Sequence, residues 1–391
     1  MRSPFHSLLG GAAGIHAADQ LAMAALPLNT VLLLGAGPGM VGMLLAAQAG
    51  AWLLGSLPAG LVVDGMTRRG ALLLAAALSI AGCGIATLAT EPGLLGLGTF
   101  IGSLGTVLFV LAAGSAVPDL VARDGLARAN AQLELCRASV TLLAAPTVGA
   151  LASLGWLRAA YGAAMLSGLL ALAAISLLPR TAAPARSTRP DLLEGAGFVW
   201  RQELLRAIGF CAVFWNTGFF ALTAGFVPFA LDRLALDPAR IGIAQGGYGA
   251  GLLAGAAAAP WFMRRCGLNA VLLAGPGLSA LAPLLLLAAP AGGTATPLLA
   301  QFLVGFGPMM WFVCQVSIRQ SVTPREMLGR VGASLQVAIY GVRPLGALAG
   351  GWLASRDPAW AMVLAAALFI ASTLVVPLSA LIRLRRLPSP A

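Results

Sequence analysis

The chain contains one segment twice, as RDGLARANAQLELCRASVTLLAAPTVGALAS at residues 123–153 and as REMLGRVGASLQVAIYGVRPLGALAGGWLAS at residues 325–355. The copies align without a gap, and their identical pairs include Leu126 and Leu328, Arg128 and Arg330, Leu143 and Leu345, Gly149 and Gly351, and Ser153 and Ser355. Pro27 and Pro228 continue the repeat outside this segment at nearly the same offset. A chain of 391 residues that repeats in this way is built from two similar halves.

The composition indicates that these halves lie in a lipid bilayer. Hydrophobic residues make up 59% of the chain, charged residues only 9%, and the mean hydropathy is +0.90, whereas soluble proteins carry about 25% charged residues. The net charge of +11 does not indicate nucleic-acid binding, because the arginines form short clusters between long apolar runs. The five cysteines are scattered without metal-ligand spacing, so we expect no metal and no cofactor.

The apolar runs predict twelve membrane-spanning helices, since about 20 apolar residues cross the hydrocarbon core. The predicted spans are residues 10–34, 39–62, 71–90, 94–116, 129–154, 158–178, 204–231, 240–262, 268–290, 295–318, 330–354 and 359–381. Short breaks rich in glycine and proline separate most of them. We therefore predict an all-α membrane protein with a six-helix bundle at residues 1–179, a linker at 180–203 and a second bundle at 204–391.

Arginine positions predict the orientation. If the N-terminus is cytoplasmic, the outer segments contain only Arg158, Arg233, Arg240 and Arg356, and nearly all the other arginines lie inside. Because positive residues are retained on the cytoplasmic side, both termini are expected there, in a multi-pass plasma (inner) membrane protein. An even number of spans per half predicts a parallel repeat about an axis along the membrane normal.

The linker has a pattern of its own. Pro190 and Asp191 form a plausible helix start, and Leu192, Ala196 and Val199 follow at helical spacing. A short amphipathic helix on the cytoplasmic surface and a solvated connector both fit this pattern.

A charged motif follows the second span. Gly60, Asp64, Arg68 and Arg69 stand in the order G-x-x-x-D-x-x-x-R-R. Gly60 allows close helix approach, Asp64 can interact with the positive end of a helix dipole, and the arginines favour the cytoplasmic face. The second half retains an arginine pair, Arg264-Arg265, without an equivalent acid.

This motif resembles the loop between helices 2 and 3 in the major facilitator superfamily, which implies a twelve-helix fold and transport by alternating access. Further segments resemble the superfamily's exporter branch, which includes enterobactin and macrolide efflux proteins: Val117 to Val121, Ala129-Asn130, Leu328 to Val331, and Arg343 to Gly351. Ala145, Pro146 and Gly149 resemble the helix-bend motif of drug–proton antiporters, although Ala145 replaces the usual glycine. The fourth span also lacks the arginine of many proton-coupled relatives.

Ionisable residues within spans are the main functional candidates, because such groups are costly in a membrane and usually face a cavity or a partner. Asp19 is the first candidate for proton coupling, the alternative being a packing acid paired with an arginine. Glu134 is the second, although its spacing from Arg137 also predicts a structural ion pair. Arg343 is a candidate for binding an anionic substrate or for pairing with Asp19. Arg137 and the polar residues Asn216, Gln336 and Tyr340 complete the set of substrate or ion-pair candidates.

The leading interpretation is a proton-coupled exporter of amphipathic or siderophore-like small molecules that works as a monomer. Its partners are then the small-molecule substrate, protons and lipid. A lysophospholipid or lipid flippase and a non-transporting membrane scaffold or sensor are the alternatives. An enzyme is not expected, because we find no nucleophile–base set, metal cluster or phosphate-binding loop in the sequence.

Overall fold

A computed structural model describes residues 4–122, 125–179 and 192–386. These residues form thirteen α-helices joined by turns and short helical turns of other types. The helices are α1 (Pro4–Leu28), α2 (Pro38–Gly65), α3 (Arg68–Leu88), α4 (Pro92–Leu120), α5 (Leu126–Ser153), α6 (Ala159–Ser176), α7 (Leu192–Arg201), α8 (Glu203–Asp232), α9 (Pro238–Cys266), α10 (Leu268–Leu287), α11 (Ala295–Val322), α12 (Leu328–Ala354) and α13 (Pro358–Val375). The linker residues 180–191, Pro190 and Asp191 among them, lie outside the described residues, as do Arg123 and Asp124 of the repeat.

The chain divides into two compact units. Unit 1 consists of Met1–Ser187 together with Asp237–Ile243, and unit 2 of Thr188–Leu236 together with Ala244–Ala391. The first turn of α9 therefore groups with unit 1, which differs from the sequence-based division at residue 204. The predicted domain boundaries stay a proposal.

The internal repeat is visible in the way each unit packs. In unit 1, α1 packs against α5 and α6, and α3 packs against α4 and α6. In unit 2, α8 packs against α12 and α13, and α10 packs against α11 and α13. Each helix thus has the neighbours of its counterpart about 200 residues away, so the duplicated sequence forms the same set of helix pairs twice.

Proline and glycine determine where the long helices begin. Pro38, Pro92 and Pro358 occupy the first turns of α2, α4 and α13, where a missing N–H costs nothing. Gly35, before α2, and Gly292, before α11, adopt positive φ values of 59° and 76°, a conformation that favours glycine. These are breaks that the sequence predicts.

A capping carboxylate fixes the loop before α13. The side chain of Asp357 accepts a hydrogen bond from the backbone N–H of Ala359 at 2.9 Å and pairs with Arg233 at the end of α8. The hydrogen bond from Ala359, together with Arg233, holds the pKa of Asp357 below its ordinary value. The loop therefore joins the ends of two helices that pack against each other.

Ten of the long helices are long and apolar enough to cross a membrane, among the residues described. The two others, α1 and α9, correspond to predicted spans but fall short in composition. Helix α1 contains His16, Asp19 and Gln20, and α9 is rich in glycine and ends in Arg264 and Arg265. A chain made mostly of helices that could cross a membrane is confirmed, and the count of twelve crossings stays a prediction.

Helix α7 lies within the predicted linker and is docked onto α12, which confirms a helix there. Glu194 forms an ion pair of 2.6 Å with Arg330. A Cβ atom added to Gly195 would lie only 2.5 Å from the carbonyl oxygen of Arg330. Phe198 and Val199 pack beside a cluster that includes Val331. The glycine therefore allows the two helix backbones to approach closely.

Replacing Gly195 with Val should displace α7, because the added side chain overlaps the backbone of α12 and overpacking costs about 1–3 kcal/mol. Hydrogen exchange of residues 192–201 should accelerate. Gly197→Val is the matched control, since nothing lies within 4 Å of a Cβ at Gly197 and both changes alter helix propensity equally. Equal protection of α7 in both variants would contradict this packing.

Candidate functional site

The carboxylate of Asp19 in α1 is held by two side-chain hydrogen bonds. Thr106 of α4 donates its hydroxyl to Oδ1 at 3.2 Å, and Gln20 donates its amide to Oδ2 at 3.1 Å. Asp19 is partly buried. An acid placed among apolar helices needs such donors, because lipid offers none. Both carboxylate oxygens are therefore bound, one of them from a different helix.

A small cavity opens beside Asp19 and is lined by four helices. Its polar lining residues are Asp19, Gln48, Ser79, Cys83, Thr99 and Ser103. The cavity volume of about 10 Å³ is close to the space that one water molecule needs. Ser and Thr hydroxyls can both donate and accept. The site can thus hold a carboxyl group in either protonation state, with water or hydroxyl partners for each.

Glycines bring the cavity walls together. A Cβ atom at Gly82 of α3 would meet the backbone nitrogen of Gly102 and lie 2.5 Å from the carbonyl oxygen of Gly98. A Cβ at Gly105 would lie 2.6 Å from the carbonyl oxygen of Ala75. Helices α3 and α4 therefore touch backbone to backbone, as small residues permit in membrane bundles.

The variant Gly82→Ala should lower the melting temperature in detergent, because the new methyl group cannot be placed without moving α4 and such overpacking costs about 1–3 kcal/mol. Gly84→Ala on the same helix is the control, since its Cβ would lie 3.6 Å from the sulfur of Met165, an ordinary contact. A control that lost as much stability would show that the α3–α4 contact is not the cause.

The expected ion pair between Glu134 and Arg137 is present on α5, with a distance of 2.8 Å. Both side chains are at least one third exposed. Arg137 is also close enough to Asp19 and His16 for charge–charge interaction, and His16 makes an edge contact with Phe109 at 5.9 Å between ring centroids. Arg137 thus adds a positive charge to the surroundings of Asp19 within unit 1, and the alternative of a packing acid paired with a cytoplasmic arginine stays a prediction.

The charged loop motif connects helix ends within unit 1. Gly60 and Asp64 lie on α2, and the arginines lie at the start of α3. Arg68 is 3.7 Å from the carboxylate of Asp119 at the end of α4. Arg69 donates a hydrogen bond of 3.1 Å to the carbonyl oxygen of Leu178, just after α6. Asp119 belongs to the segment that resembles exporters, so two motifs noted separately in the sequence meet in space.

The variant Arg69→Gln should destabilise unit 1 by about 1 kcal/mol, because the shorter side chain leaves the Leu178 carbonyl without its donor. Arg264→Gln is the matched control from the corresponding loop of the second half, where the side chain is exposed, and changes at such positions stay within about 0.5 kcal/mol. Thermal unfolding in detergent compares the two, and equal losses would contradict a specific role for Arg69.

The predicted bend motif lies in the second half of α5. Pro146 does not interrupt the helix, which continues to Ser153. A Cβ atom at Gly149 would lie 2.9 Å from Cα of Gly242, a residue in the part of α9 that groups with unit 1. Gly149 thus serves a close helix contact, and Ala145 supplies a backbone carbonyl to the same contact.

Unit 2 has no acidic residue in the place of Asp19 and contains an arginine among aromatic rings instead. We call this group the Arg343 cluster; it consists of Arg343, Tyr340, Asn216, Phe220, Phe219, Trp215 and Tyr248. Nε of Arg343 donates to the side-chain oxygen of Asn216 at 3.0 Å, so two predicted candidates are in direct contact. Gln336 lies one turn before Tyr340 with an exposed side chain.

The sequence interpretation missed the hydroxyl partner of Asp19 and most of the aromatic rings. A signal existed for the first, because Thr99, Ser103 and Thr106 recur at helical spacing on α4. Trp215 and Phe219 also have helical spacing, but aromatic pairs at this spacing are common in ordinary cores. The contacts of Phe219 with α9 and of Trp215 with α10 and α13 depend on tertiary packing.

By sequence, no family model and no curated protein matches the chain. By structure, it is similar to a POT family transporter in complex with a thioalcohol-conjugated peptide, with a TM-score of 0.80, 12% identity, and coverage of 96% of this chain and 95% of that one. The nucleoside transporter NupG gives a TM-score of 0.78 at 12% identity, with 96% and 99% covered. The D-xylose-proton symporter gives 0.73 at 14% identity, with 95% and 96% covered.

The chain has the fold of the major facilitator superfamily. The near-complete coverage on both sides confirms the fold that the loop motif and the repeat predict. The three similar proteins are transporters of peptides, nucleosides and a sugar, and the exporter branch is not among them. They are not enzymes, which agrees at a coarse level with the sequence interpretation.

Proposed function

We propose that the chain is a proton-coupled secondary transporter in which Asp19 carries the proton, and that it exports amphipathic small molecules. The observation that carries this proposal is the position of Asp19 beside a polar cavity, with both oxygens hydrogen-bonded and an arginine nearby. A carrier must be stable with and without its proton. The partners around Asp19 fit both states.

The chemistry of the two states follows from the donors and acceptors present. When Asp19 is ionised, Thr106 and Gln20 donate to it and Arg137 supplies an opposite charge. When Asp19 is protonated, its O–H becomes a donor, and the hydroxyl of Thr106 can turn to accept. The hydroxyl oxygen of Thr106 also lies 3.4 Å from the carbonyl oxygen of Gly102, which is a second acceptor for the hydroxyl proton of Thr106. Rotation of the Thr106 hydroxyl therefore accommodates both protonation states of Asp19, while the proton itself must come from and leave to water.

The fold supports transport by alternating access, in which two bundles expose a site to either side in turn. One structurally similar protein is named as a proton symporter, which shows that this fold accommodates proton coupling. The export direction rests on the sequence segments that resemble exporters. Twelve membrane crossings, both termini in the cytoplasm, an inner-membrane location and a monomeric state belong to the same proposal.

A non-transporting scaffold explains the site less well. A scaffold has no need of a carboxylate inside an apolar bundle, and such a group is costly to keep there. A scaffold would also have no use for the cavity, for the polar residues Thr99, Ser103 and Thr106 on α4, or for Arg137. The transporter interpretation uses each of them.

The variant Asp19→Asn should abolish transport driven by a proton gradient, because the amide has nearly the size of the acid and can still accept from Gln20 and donate to Thr106, but cannot carry a proton. The measurement is gradient-driven movement of amphipathic fluorescent dyes in everted vesicles, and the expected rate is that of vesicles without the protein. Glu134→Gln is the control, since that carboxylate is 55% exposed and paired with Arg137, and it should retain most of the rate.

Normal gradient-driven rates in Asp19→Asn would exclude Asp19 as the carrier. Transport that continues unchanged in the presence of a protonophore would exclude proton coupling altogether. Loss of gradient-driven transport in Glu134→Gln, together with normal transport in Asp19→Asn, would assign the role of proton carrier to Glu134.

A further inference from the structure

The charge of Arg343 is not balanced within its own unit. Arg343 lies in the middle of α12, a helix long and apolar enough to cross a membrane. Among the described residues of unit 2, no carboxylate lies within ion-pair distance of it, and its hydrogen-bond partner is the neutral side chain of Asn216. An intramembrane cation without a counter-charge is costly and typically marks a ligand pathway.

The remaining donors of Arg343 are available for a ligand. The bond to Asn216 uses Nε only, and within the described part of unit 2 neither terminal nitrogen has a hydrogen-bond acceptor. The other neighbours are aromatic rings, with the guanidinium carbon 4.6 Å from the ring centroid of Tyr340 and 5.5 Å from that of Phe220. Rings attract the cation but accept no strong hydrogen bond. The terminal nitrogens retain the geometry that binds a carboxylate with two bonds.

The rings form a row of contacts that begins at Arg343, with the buried Phe220 as its first member. Phe220 contacts Phe219, which stacks on Trp215 with ring centroids 5.1 Å apart and contacts Tyr248 at 5.4 Å. These rings come from α8 and α9, while Arg343 comes from α12. Trp215, Phe219 and Tyr248 are only partly buried. Trp215 also contacts Phe369, with ring centroids 5.9 Å apart. The faces of Trp215 and Phe219 are thus taken by neighbouring rings, and the exposed ring edges are what a flat ligand can contact, in the edge-to-face geometry that aromatic pairs favour.

The cluster is pre-organised by hydrogen bonds within α8 and from α8 to α10. The amide nitrogen of Asn216 donates to the carbonyl oxygen of Ala212 at 2.9 Å, which directs the amide oxygen to Arg343. The indole N–H of Trp215 donates to Ser279 at 2.9 Å. Positions fixed in this way reduce the ordering cost of binding.

We infer that unit 2 binds an organic anion that carries an aromatic ring. The ligand's carboxylate accepts two hydrogen bonds from Arg343, and its ring packs against the exposed edges of Phe219, Trp215 and Tyr248. A cation is disfavoured at the same place, because it would be repelled by the guanidinium. This inference narrows the cargo of the proposed transporter to amphipathic aromatic anions. It rests on the proposed function only where it treats the bound anion as cargo.

Binding to purified protein in lipid nanodiscs tests the inference without any gradient. The probe is 2-naphthoate, and the measurement is titration calorimetry. Two comparison compounds separate the two elements of recognition: 2-naphthamide has the same ring without the charge, and cyclohexanecarboxylate has the charge without the ring. We expect 2-naphthoate to bind about 10- to 100-fold more tightly than 2-naphthamide, as loss of a charge-assisted hydrogen-bond pair implies, and more tightly than cyclohexanecarboxylate.

Variants test the residue assignment. Arg343→Gln should remove the preference for 2-naphthoate over 2-naphthamide, and Arg343→Lys should restore only part of it, because lysine lacks the planar two-donor geometry. Arg356→Gln is the matched control, since Arg356 also lies over a ring, that of Trp352 at 3.8 Å, but outside the cluster. It should retain wild-type binding.

Equal affinity of the wild-type protein for 2-naphthoate and 2-naphthamide, or no binding of 2-naphthoate, would overturn the inference, even if Arg343→Gln does not fold. Asp19→Asn distinguishes this result from the proposed function, because it should bind 2-naphthoate normally while losing gradient-driven transport. Binding without proton-driven transport in the wild type would refute the transport proposal and leave the anion site intact.

Discussion

The hydrogen bond between Thr106 and Asp19 is the contact on which the arrangement of unit 1 depends. A carboxylate in an apolar bundle must find its donors inside the protein, since lipid supplies none. Helix α4 can deliver Thr106 to α1 only because glycines such as Gly82 and Gly105 allow α3 and α4 to approach backbone to backbone. Gly14 has the same role between α1 and α6, where a Cβ would lie 2.5 Å from the carbonyl oxygen of Ser167. The close helix packing that small residues allow therefore goes together with the hydrogen bond that the carboxylate of Asp19 needs.

The repeat gives the two units the same helix pairs but different contents. Pro27 and Pro228 align, so the position of Asp19 corresponds to that of Phe220, a ring that contacts Arg343. Arg343 in turn aligns with Thr141, whose hydroxyl donates to the carbonyl oxygen of Arg137. One copy of the scaffold thus holds an acid among hydroxyls, and the other holds an arginine among rings. This asymmetry supports the proposal that one unit handles the proton and the other the cargo.

The fold followed from the sequence because its signals are long and redundant. Apolar runs, proline at helix starts and the duplicated segment each indicate the same helices, and the helix ends differ from the predicted ones by a few residues. Asp19, Arg137 and Arg343 could also be named, since charge within an apolar run is rare. Thr106, Phe219 and Trp215 could not, because a hydroxyl or a ring on a membrane helix is common. Only the packing of α1 against α4, and of α8 against α9, α10 and α13, shows that they have a partner.

Infrared difference spectroscopy of the reconstituted protein tests the central claim, that Asp19 gains and loses a proton when a gradient is applied. Spectra are recorded before and after an inward proton gradient is imposed, with aspartate carboxyl groups labelled by carbon-13 so that their band can be assigned. The account predicts that a protonated carboxyl band appears in the wild-type protein and is missing in Asp19→Asn. The same band in both proteins, or no band in the wild type, would contradict it.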